Sequence, residues 1–376
     1  MDRRRSEPWI AWGFLAPALS VLLLFGLFPI GYALFVSLHE WRIRNTGWLG
    51  LAHYRRAVGE PLGLLWVGLG VALLLWAWRR AAGSGPVCGR WRRWVRLGLA
   101  GVGLWLALVP GLARLVATGD PKLYNGIRIT ALYAVGTIPV ELGVSLLLAW
   151  LLLRGLRGKG AFRVLFFLPY ITPVIASAVV FRTLFGPHPA SLANRVLGVF
   201  GLAPSRWLHE SRSLLALLCD GVGIACPGWA EPLFPSLALT AVILYNIWVY
   251  IGYDTVILLA GLAAIPPHYY EAAAIDGANG WQVFRQITVP LLSPTLFFLS
   301  TVSLIGTFKA FNHLYIMRTP AAQDSVDVLS VAIFDLLFQA HNAGYAAALA
   351  FLLFLLILGL TLAQNRLLGR RVFYGD

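Results

Sequence analysis

Ser236 to Leu262 reads SLALTAVILYNIWVYIGYDTVILLAGL, 27 residues in which Asp254 is the only formal charge at neutral pH. A helix rises about 1.5 Å per residue, so about 20 residues cross the ~30 Å hydrocarbon layer of a bilayer. This run is long enough to cross, and it is apolar on every side. Seven further runs of similar character lie at roughly 10–38, 62–78, 97–116, 124–153, 162–185, 290–316 and 343–366. Backbone N–H and C=O groups cannot stay unpaired in lipid, so each run is expected to be helical. None shows the ~10-residue alternation of a membrane β-barrel. The reading is an all-α membrane protein with about eight transmembrane helices.

Composition agrees. The 376 residues are 59% hydrophobic and 12% charged, against about 45–50% and about 25% in soluble domains. The formal net charge is +14. Its arginines flank apolar runs instead of forming one exposed face, which argues against nucleic acid as a partner. With the N-terminus inside, the inner segments collect 17 of the 30 basic residues: Arg3 to Arg5, Arg79 through Arg96, Arg154 to Arg163, Arg285, and Arg366 to Arg371. Only five acids accompany them, Asp2, Glu7, Glu271, Asp276 and Asp376. Eight spans then return the C-terminus to the cytoplasm beside Arg370 and Arg371, so both termini are expected inside an inner (cytoplasmic) membrane. The first apolar run exceeds the about 7–15 residues of a signal-peptide core and is read as a retained span.

Two connections stand out. The outer one, about 186–235, is proline-rich. Within it, Leu214 to Cys226 is too short to span and, broken by Asp220 and two glycines, is not expected to form a regular helix. Cys219 and Cys226 lie on this outer side, where a disulfide is possible, although two free thiols are the expected state. Cys88 is placed inside. The inner connection, about 263–289, is long for a tightly built membrane protein. It reads Glu271-Ala272-Ala273-Ala274-Ile275-Asp276-Gly277-Ala278 and continues through Phe284, Ile287 and Pro290. The alanines favour helix, Gly277 permits a sharp turn, and Pro290 sits where a new helix can start without its N–H. A short helix lying flat on the inner face would offer Glu271 to a partner.

This stretch resembles the Glu-Ala-Ala signature of binding-protein-dependent ABC importer permeases. The pattern falls on Glu271, Ala272, Ala273, Gly277, Ile287 and Pro290, with Val289 where the family usually has Leu. Asp276-Gly277-Ala278 and Phe284 are similar to the carbohydrate, maltose-type branch. Phe166 to Pro169 with Pro173, Leu259 to Leu262 with Pro266, and Gly344 to Ala348 extend the likeness over the first span and about 120–370. The resemblance implies a type I ABC importer permease architecture with a cytoplasmic coupling helix. Glu271, Ala272, Ala273, Asp276 and Gly277 would then dock a cytoplasmic ABC ATPase dimer. A second permease subunit, an extracytoplasmic solute-binding protein and surrounding membrane lipid would complete the setting. On this basis the chain divides into 1–57 (tail, first span and outer loop), an added hairpin at 58–119, a permease core at 120–370 and a tail at 371–376.

Polar groups inside spans default to function or pairing. Asn246, Tyr250, Tyr253 and Asp254 share one face of the sixth span. Gly306, Lys309 and His313 share a face of the seventh, with Asn312 beside it. Aromatic rings suit sugar faces, while amides and charges suit hydroxyls, so these residues are candidates for a small-molecule solute pathway. By comparison with maltose-type permeases, Tyr253 and Phe311-Asn312-His313 fall closest to the substrate. The structural alternative is hydrogen bonding between helices, including an Asp254–Lys309 ion pair. Glu141 is read as a packing or subunit contact. The seven histidines are scattered, so no metal site is expected. No catalytic residue and no cofactor are expected either, since no phosphate-binding Gly-x-x-x-x-Gly-Lys-Ser/Thr loop occurs and Gly155 to Gly160 lacks its spacing. The function expected is that of a permease subunit of an ATP-driven importer for a sugar or sugar-like solute. A secondary transporter or channel without an ATPase is the alternative, and a lipid-modifying membrane enzyme a more distant one.

Overall fold

The structure is a computed structural model that describes residues 3–42, 44–82, 90–153, 158–369 and 372. Cys88, Arg154, Arg157, Arg370 and Arg371, together with the 371–376 tail apart from 372, lie outside the described residues. Among the described residues, five helices are long and apolar enough to cross a membrane: Trp12–Ser37, Gly98–Thr118, Pro121–Leu153, Leu237–Ala263 and Ala343–Leu367. Three bent helix pairs bring the number to eight if each is one span. The chain forms two compact units, Met1–Tyr124 with Ala332–Phe354, and Asn125–Val331 with Leu355–Asp376.

The first unit opens with a long helix whose Phe14, Leu24, Phe25 and Phe28 side chains are exposed, as a lipid-facing surface requires. Strands His39–Trp41 and Asn45–Trp48 follow as an antiparallel pair, with His39 opposite Trp48. Ala52–Val58 and Pro61–Leu74 then form a pair bent by 65°. The helix continuing to Ala82 packs against Arg90–Leu106 and the turns after it. Tyr345 donates a hydrogen bond to Asp120, and the Arg56 guanidinium lies 4.8 Å from the Tyr345 ring centre.

The second unit is built around Leu237–Ala263. Ser236 caps its start, accepting a hydrogen bond from the Leu239 N–H at 3.0 Å. Its buried side chains serve two clusters. One joins Leu239, Val242 and Tyr245 to Ile129, Tyr133, Leu314 and Met317. The other joins Leu258 and Leu262 to Ala149, Leu152, Leu292 and Leu299.

Proline shapes the helices where regular spans were expected. The 162–185 run is two helices, Lys159–Ile171 and Val174–Leu184, whose axes turn by 95°. Pro173 forces Thr172 into extended backbone, φ −66° and ψ 135°, and so ends the first helix. The 290–316 run is also divided. Its helix starts at Gly280 under an Asn279 capping box with Gln282, so Pro290 lies within the helix and does not begin it. A 64° bend follows before Ser293–Phe308, where Pro294 has no N–H for the carbonyl of Pro290. Wider π-helical turns occur at Leu22–Leu27, Ala107–Leu112 and Phe284–Thr288; the second contains Pro110, and the others end two residues before Pro29 and Pro290, which fits their role as sites of helix distortion. In the outer connection, Leu214–Val222 is a regular nine-residue helix, contrary to the sequence reading. Ser213 caps its start and Gly223, at φ 76°, supplies its left-handed end, so neither Asp220 nor Gly221 interrupts it.

Candidate functional site

The site begins with one close approach. A Cβ on Gly252 would lie 1.8 Å from the Phe166 carbonyl oxygen and 2.9 Å from the Phe167 N. Only glycine lets Leu237–Ala263 touch the backbone of Lys159–Ile171 in this way. The approach carries Tyr170 onto the central helix, where it stacks on Tyr253 with centroids 4.5 Å apart and meets the Tyr250 ring edge-on at 5.8 Å.

These three tyrosines line a cavity of about 340 Å³. All seven residues proposed for the pathway border it: Asn246, Tyr250, Tyr253, Asp254, Lys309, Asn312 and His313. The second group arrives there differently from the sequence reading. The helix stops at Phe308 and resumes at Asn312–Met317, with Phe311 at φ −139° and ψ −59°. Gly306, Lys309 and His313 therefore share the cavity although they do not share a continuous helix face.

Two lining residues were missed by sequence reasoning. Tyr170, which directly follows Phe166 to Pro169, was not singled out. Glu141 was assigned to packing, yet it faces the same cavity. Its carboxylate accepts from Asn246 Nδ2 and from Ser303 Oγ, each at 3.2 Å. Buried carboxylates of this kind are costly in a membrane unless they are paired. Asp254 is 1% exposed and its Oδ2 has no partner. The Asp254–Lys309 ion pair is not among the ion pairs of the described residues. Lys309 is exposed and caps the C-terminal end of Ser293–Phe308, where the helix dipole favours a cation. His313 Nε2 is 2.8 Å from the Tyr133 hydroxyl, and Ser177 bonds Tyr245 at 2.7 Å. Together the cavity offers an aromatic platform, one free acceptor and several amide, hydroxyl and ammonium donors.

The second candidate region is the loop after Ala263. His268–Ile275 is helical, and Gly277 at φ 72° turns the chain. The Ala278 N–H bonds the Ala273 carbonyl at 2.9 Å and the Gly277 N–H bonds the Ala274 carbonyl at 3.1 Å, the paired closure of a Schellman end. Ala273 points inward, while Glu271, Ala272, Ala274 and Asp276 are exposed and Ile275 is 87% exposed. Glu271 carries no ion pair among the described residues. An apolar pocket of about 330 Å³, bordered by Leu146, Trp150, Trp281 and Phe284, adjoins the segment after the turn. Among the described residues no group of three His, Cys, Asp or Glu could hold a metal ion.

Comparison with known proteins places these features. The family model described as "Binding-protein-dependent transport system inner membrane component" matches residues 141–374. The arabinooligosaccharides transport system permease protein of Bacillus subtilis is 30% identical over 261 residues, covering 69% of this chain and 76% of that protein. The lactose transport system permease protein of Rhizobium radiobacter is 25% identical over 359 residues, 94% and 92% of the two chains. The crystal structure of a bacterial ABC transporter involved in import of the acidic polysaccharide alginate shares the fold, with TM-score 0.65, 19% identity and coverage of 98% of this chain and 97% of that one. The chain belongs to the family of binding-protein-dependent transport system inner membrane components: it is a permease subunit of an ATP-driven importer, acting with a second permease and a separate ATPase that hydrolyses the ATP.

Proposed function

We propose that this permease passes a sugar or sugar-like solute through the cavity around Tyr253, and that the His268–Ile275 helix and its Gly277 turn dock the ATPase. The observation that carries the solute reading is the convergence of Asn246, Tyr250, Tyr253, Asp254, Lys309, Asn312 and His313 on one cavity with a stacked tyrosine pair. An aromatic face covers the apolar face of a pyranose or furanose, and amides, carboxylates and hydroxyls exchange hydrogen bonds with its hydroxyls. The relatives named for arabinooligosaccharides and lactose support the same class.

The docking reading rests on exposure and rigidity. Glu271, Ala272 and Asp276 stand on the open face of a helix whose end is fixed by Gly277, and buried Ala273 anchors it. ATP-driven closure of an ATPase dimer would push this helix and shift the spans between inward-facing and outward-facing populations. An extracytoplasmic binding protein would deliver solute to the opposite face. The arginine distribution supports cytoplasmic placement of both termini and of this loop. Residues 120–370 act as the permease core, and 58–119 as a hairpin added to it.

Purification of the chain from its own cells, unchanged and as Glu271→Ala or Gly277→Pro, tests the docking. The expected result is an ATPase that accompanies the unchanged chain and is lost from both variants. Equal ATPase recovery with both variants would refute docking through this helix. Solute transport intact in liposomes without any ATPase would favour a secondary transporter.

A further inference from the structure

A second cavity, of about 290 Å³, lies within the second unit, between the first turns of Pro121–Leu153 and Leu237–Ala263 and the segment 211–236. Its base is apolar. Ile129 and Leu239 line it and are each 1% exposed, with Leu132 beside them. One wall is fixed by backbone. Ser213 and Ser236 form an antiparallel bridge, the Leu214 N–H donates to the Pro235 carbonyl at 2.9 Å, and the Leu237 N–H donates to the Arg212 carbonyl at 3.1 Å. The rim carries Arg128, Ser211, Glu231 and Phe234, all exposed. Arg128 donates to Asn125 Oδ1 at 2.8 Å, and Asn125 Nδ2 donates to the Asp324 carbonyl at 2.7 Å, so the guanidinium is held in place. Neither Arg128 nor Glu231 forms an ion pair among the described residues.

This cavity and the one around Tyr253 follow one another along the same two helices. Leu239 lines the first and Asn246 the second, about 10 Å apart along Leu237–Ala263. On Pro121–Leu153, Leu132 and Glu141 are separated by about 14 Å. A packed layer lies between. Tyr133, Val242, Tyr245 and Leu314 are buried in it together, the Tyr133 hydroxyl is 2.8 Å from His313 Nε2, and Ser177 bonds Tyr245 at 2.7 Å. The two cavities are nearly equal in size, about 290 and about 340 Å³, so a unit that fits one fits the other. Their chemistry also corresponds. The central cavity offers Tyr253, Asp254 and Lys309; this one offers Phe234, Glu231 and Arg128. A sugar hydroxyl both donates and accepts, so neighbouring hydroxyls can engage a guanidinium and a carboxylate at once. The recess is close to the lower size limit of small-molecule pockets, about 300 Å³. A stable protein contact instead needs a face of about 800 Å² per partner.

We infer that this cavity is a second solute site, which holds one sugar unit on the outer side while the layer of Tyr133, Tyr245 and His313 is closed. The inference rests on the sugar reading above and on the cytoplasmic placement of both termini, which puts 186–235 outside. It gives Arg128, Glu231 and Phe234 the role of capturing solute before it enters the central cavity.

The test uses the assembled importer in liposomes, in a Cys88→Ser, Cys219→Ser, Cys226→Ser background that removes all three cysteines. The probe is lactose or an arabino-oligosaccharide, whichever is taken up. Ser211→Cys reports the outer cavity, through alkylation by a membrane-impermeant maleimide added outside. Gly306→Cys reports the central cavity through a permeant maleimide, since a Cβ there meets nothing within 4 Å. The sugar is expected to slow alkylation at both positions. Arg128→Gln with Glu231→Gln should raise the half-protecting sugar concentration at Ser211→Cys by about tenfold, the effect of one lost charged hydrogen bond. Protection at Gly306→Cys should persist in that variant, which shows that it is folded. Protection at Gly306→Cys alone would overturn the outer site and leave the sugar reading standing. Protection at neither position by a sugar that is taken up would overturn both. Slowing of Ser211→Cys by the binding protein without sugar, with no further effect of sugar, would make the recess a protein contact and overturn the solute site. Reaction of Ser211→Cys with the permeant reagent only would overturn its outer placement.

Discussion

Replacing Gly252 with alanine tests whether the cavity proposed for the solute depends on contact between helix backbones. The added Cβ would lie 1.8 Å from the Phe166 carbonyl oxygen, where real contacts do not fall below 3.0 Å. Both groups belong to backbone, so no side chain can swing away. The Lys159–Ile171 helix must move outward by at least about 1.2 Å, an overpacking strain that costs about 1–3 kcal/mol. The displaced helix carries Tyr170, and the 4.5 Å stack on Tyr253 opens. A misplacement of about 1 Å at a binding surface can cost about 10²-fold in function. Gly359→Ala is the matched control, because a Cβ there meets nothing within 4 Å and the residue lies outside the cavity. The assay is uptake of radiolabelled arabino-oligosaccharide or lactose by the reconstituted importer, alongside thermal unfolding of the permease in detergent. Gly252→Ala should lower both uptake and the unfolding temperature, with Gly359→Ala near wild type. Wild-type uptake and stability in Gly252→Ala would refute the close-approach argument.

Other measurements probe separate parts of the molecule. Asp254→Asn and Tyr253→Ala should each weaken solute uptake by about tenfold or more while leaving ATPase recovery unchanged, since one turns a carboxylate oxygen into an amide donor and the other removes the aromatic platform; a wild-type uptake rate in both would remove this cavity from the pathway. Asn194→Ala should destabilise the outer connection by about 2–3 kcal/mol, because Asn194 accepts from the Ser205 N–H at 2.9 Å and the Trp207 indole at 2.8 Å and donates to the His188 and Ser205 carbonyls; faster proteolysis within 186–235 is the readout. Gly277→Ala adds no clash but must hold φ 72°, costing about 1 kcal/mol, so ATPase recovery should fall less than with Gly277→Pro. Cys219 and Cys226 are free thiols, and local desolvation together with the neighbouring Cys219 thiol pushes the Cys226 thiol above its ordinary range. A raised value means less thiolate at a given pH, so Cys226 alkylation should reach its half-maximal rate at a higher pH than that of a free cysteine; identical pH profiles would count against this.

The sequence by itself determined what the solvent requires. Apolar runs of bilayer length, with arginines at their ends, mark where helical segments lie, because lipid leaves backbone groups no other partner; whether the bent pairs each count as one span is not written in the runs themselves. The short helix proposed to dock the ATPase was equally legible as a helix, since Ala272 to Ala274 and Gly277 act within a few positions of one another. The helix face of Asn246, Tyr250, Tyr253 and Asp254 was legible for the same reason, being set by the helical period alone. Only the tertiary structure decided which groups meet across helices. Glu141 lies more than a hundred residues from Asn246 and Asp254, and nothing in its neighbourhood marks it as a cavity residue. Tyr170 reaches Tyr253 through the Gly252 contact and the 95° turn at Pro173. The break at Lys309 to Phe311 contains no proline or glycine to announce it. Such features depend on packing between segments distant in sequence, and local periodicity carries no information about that distance.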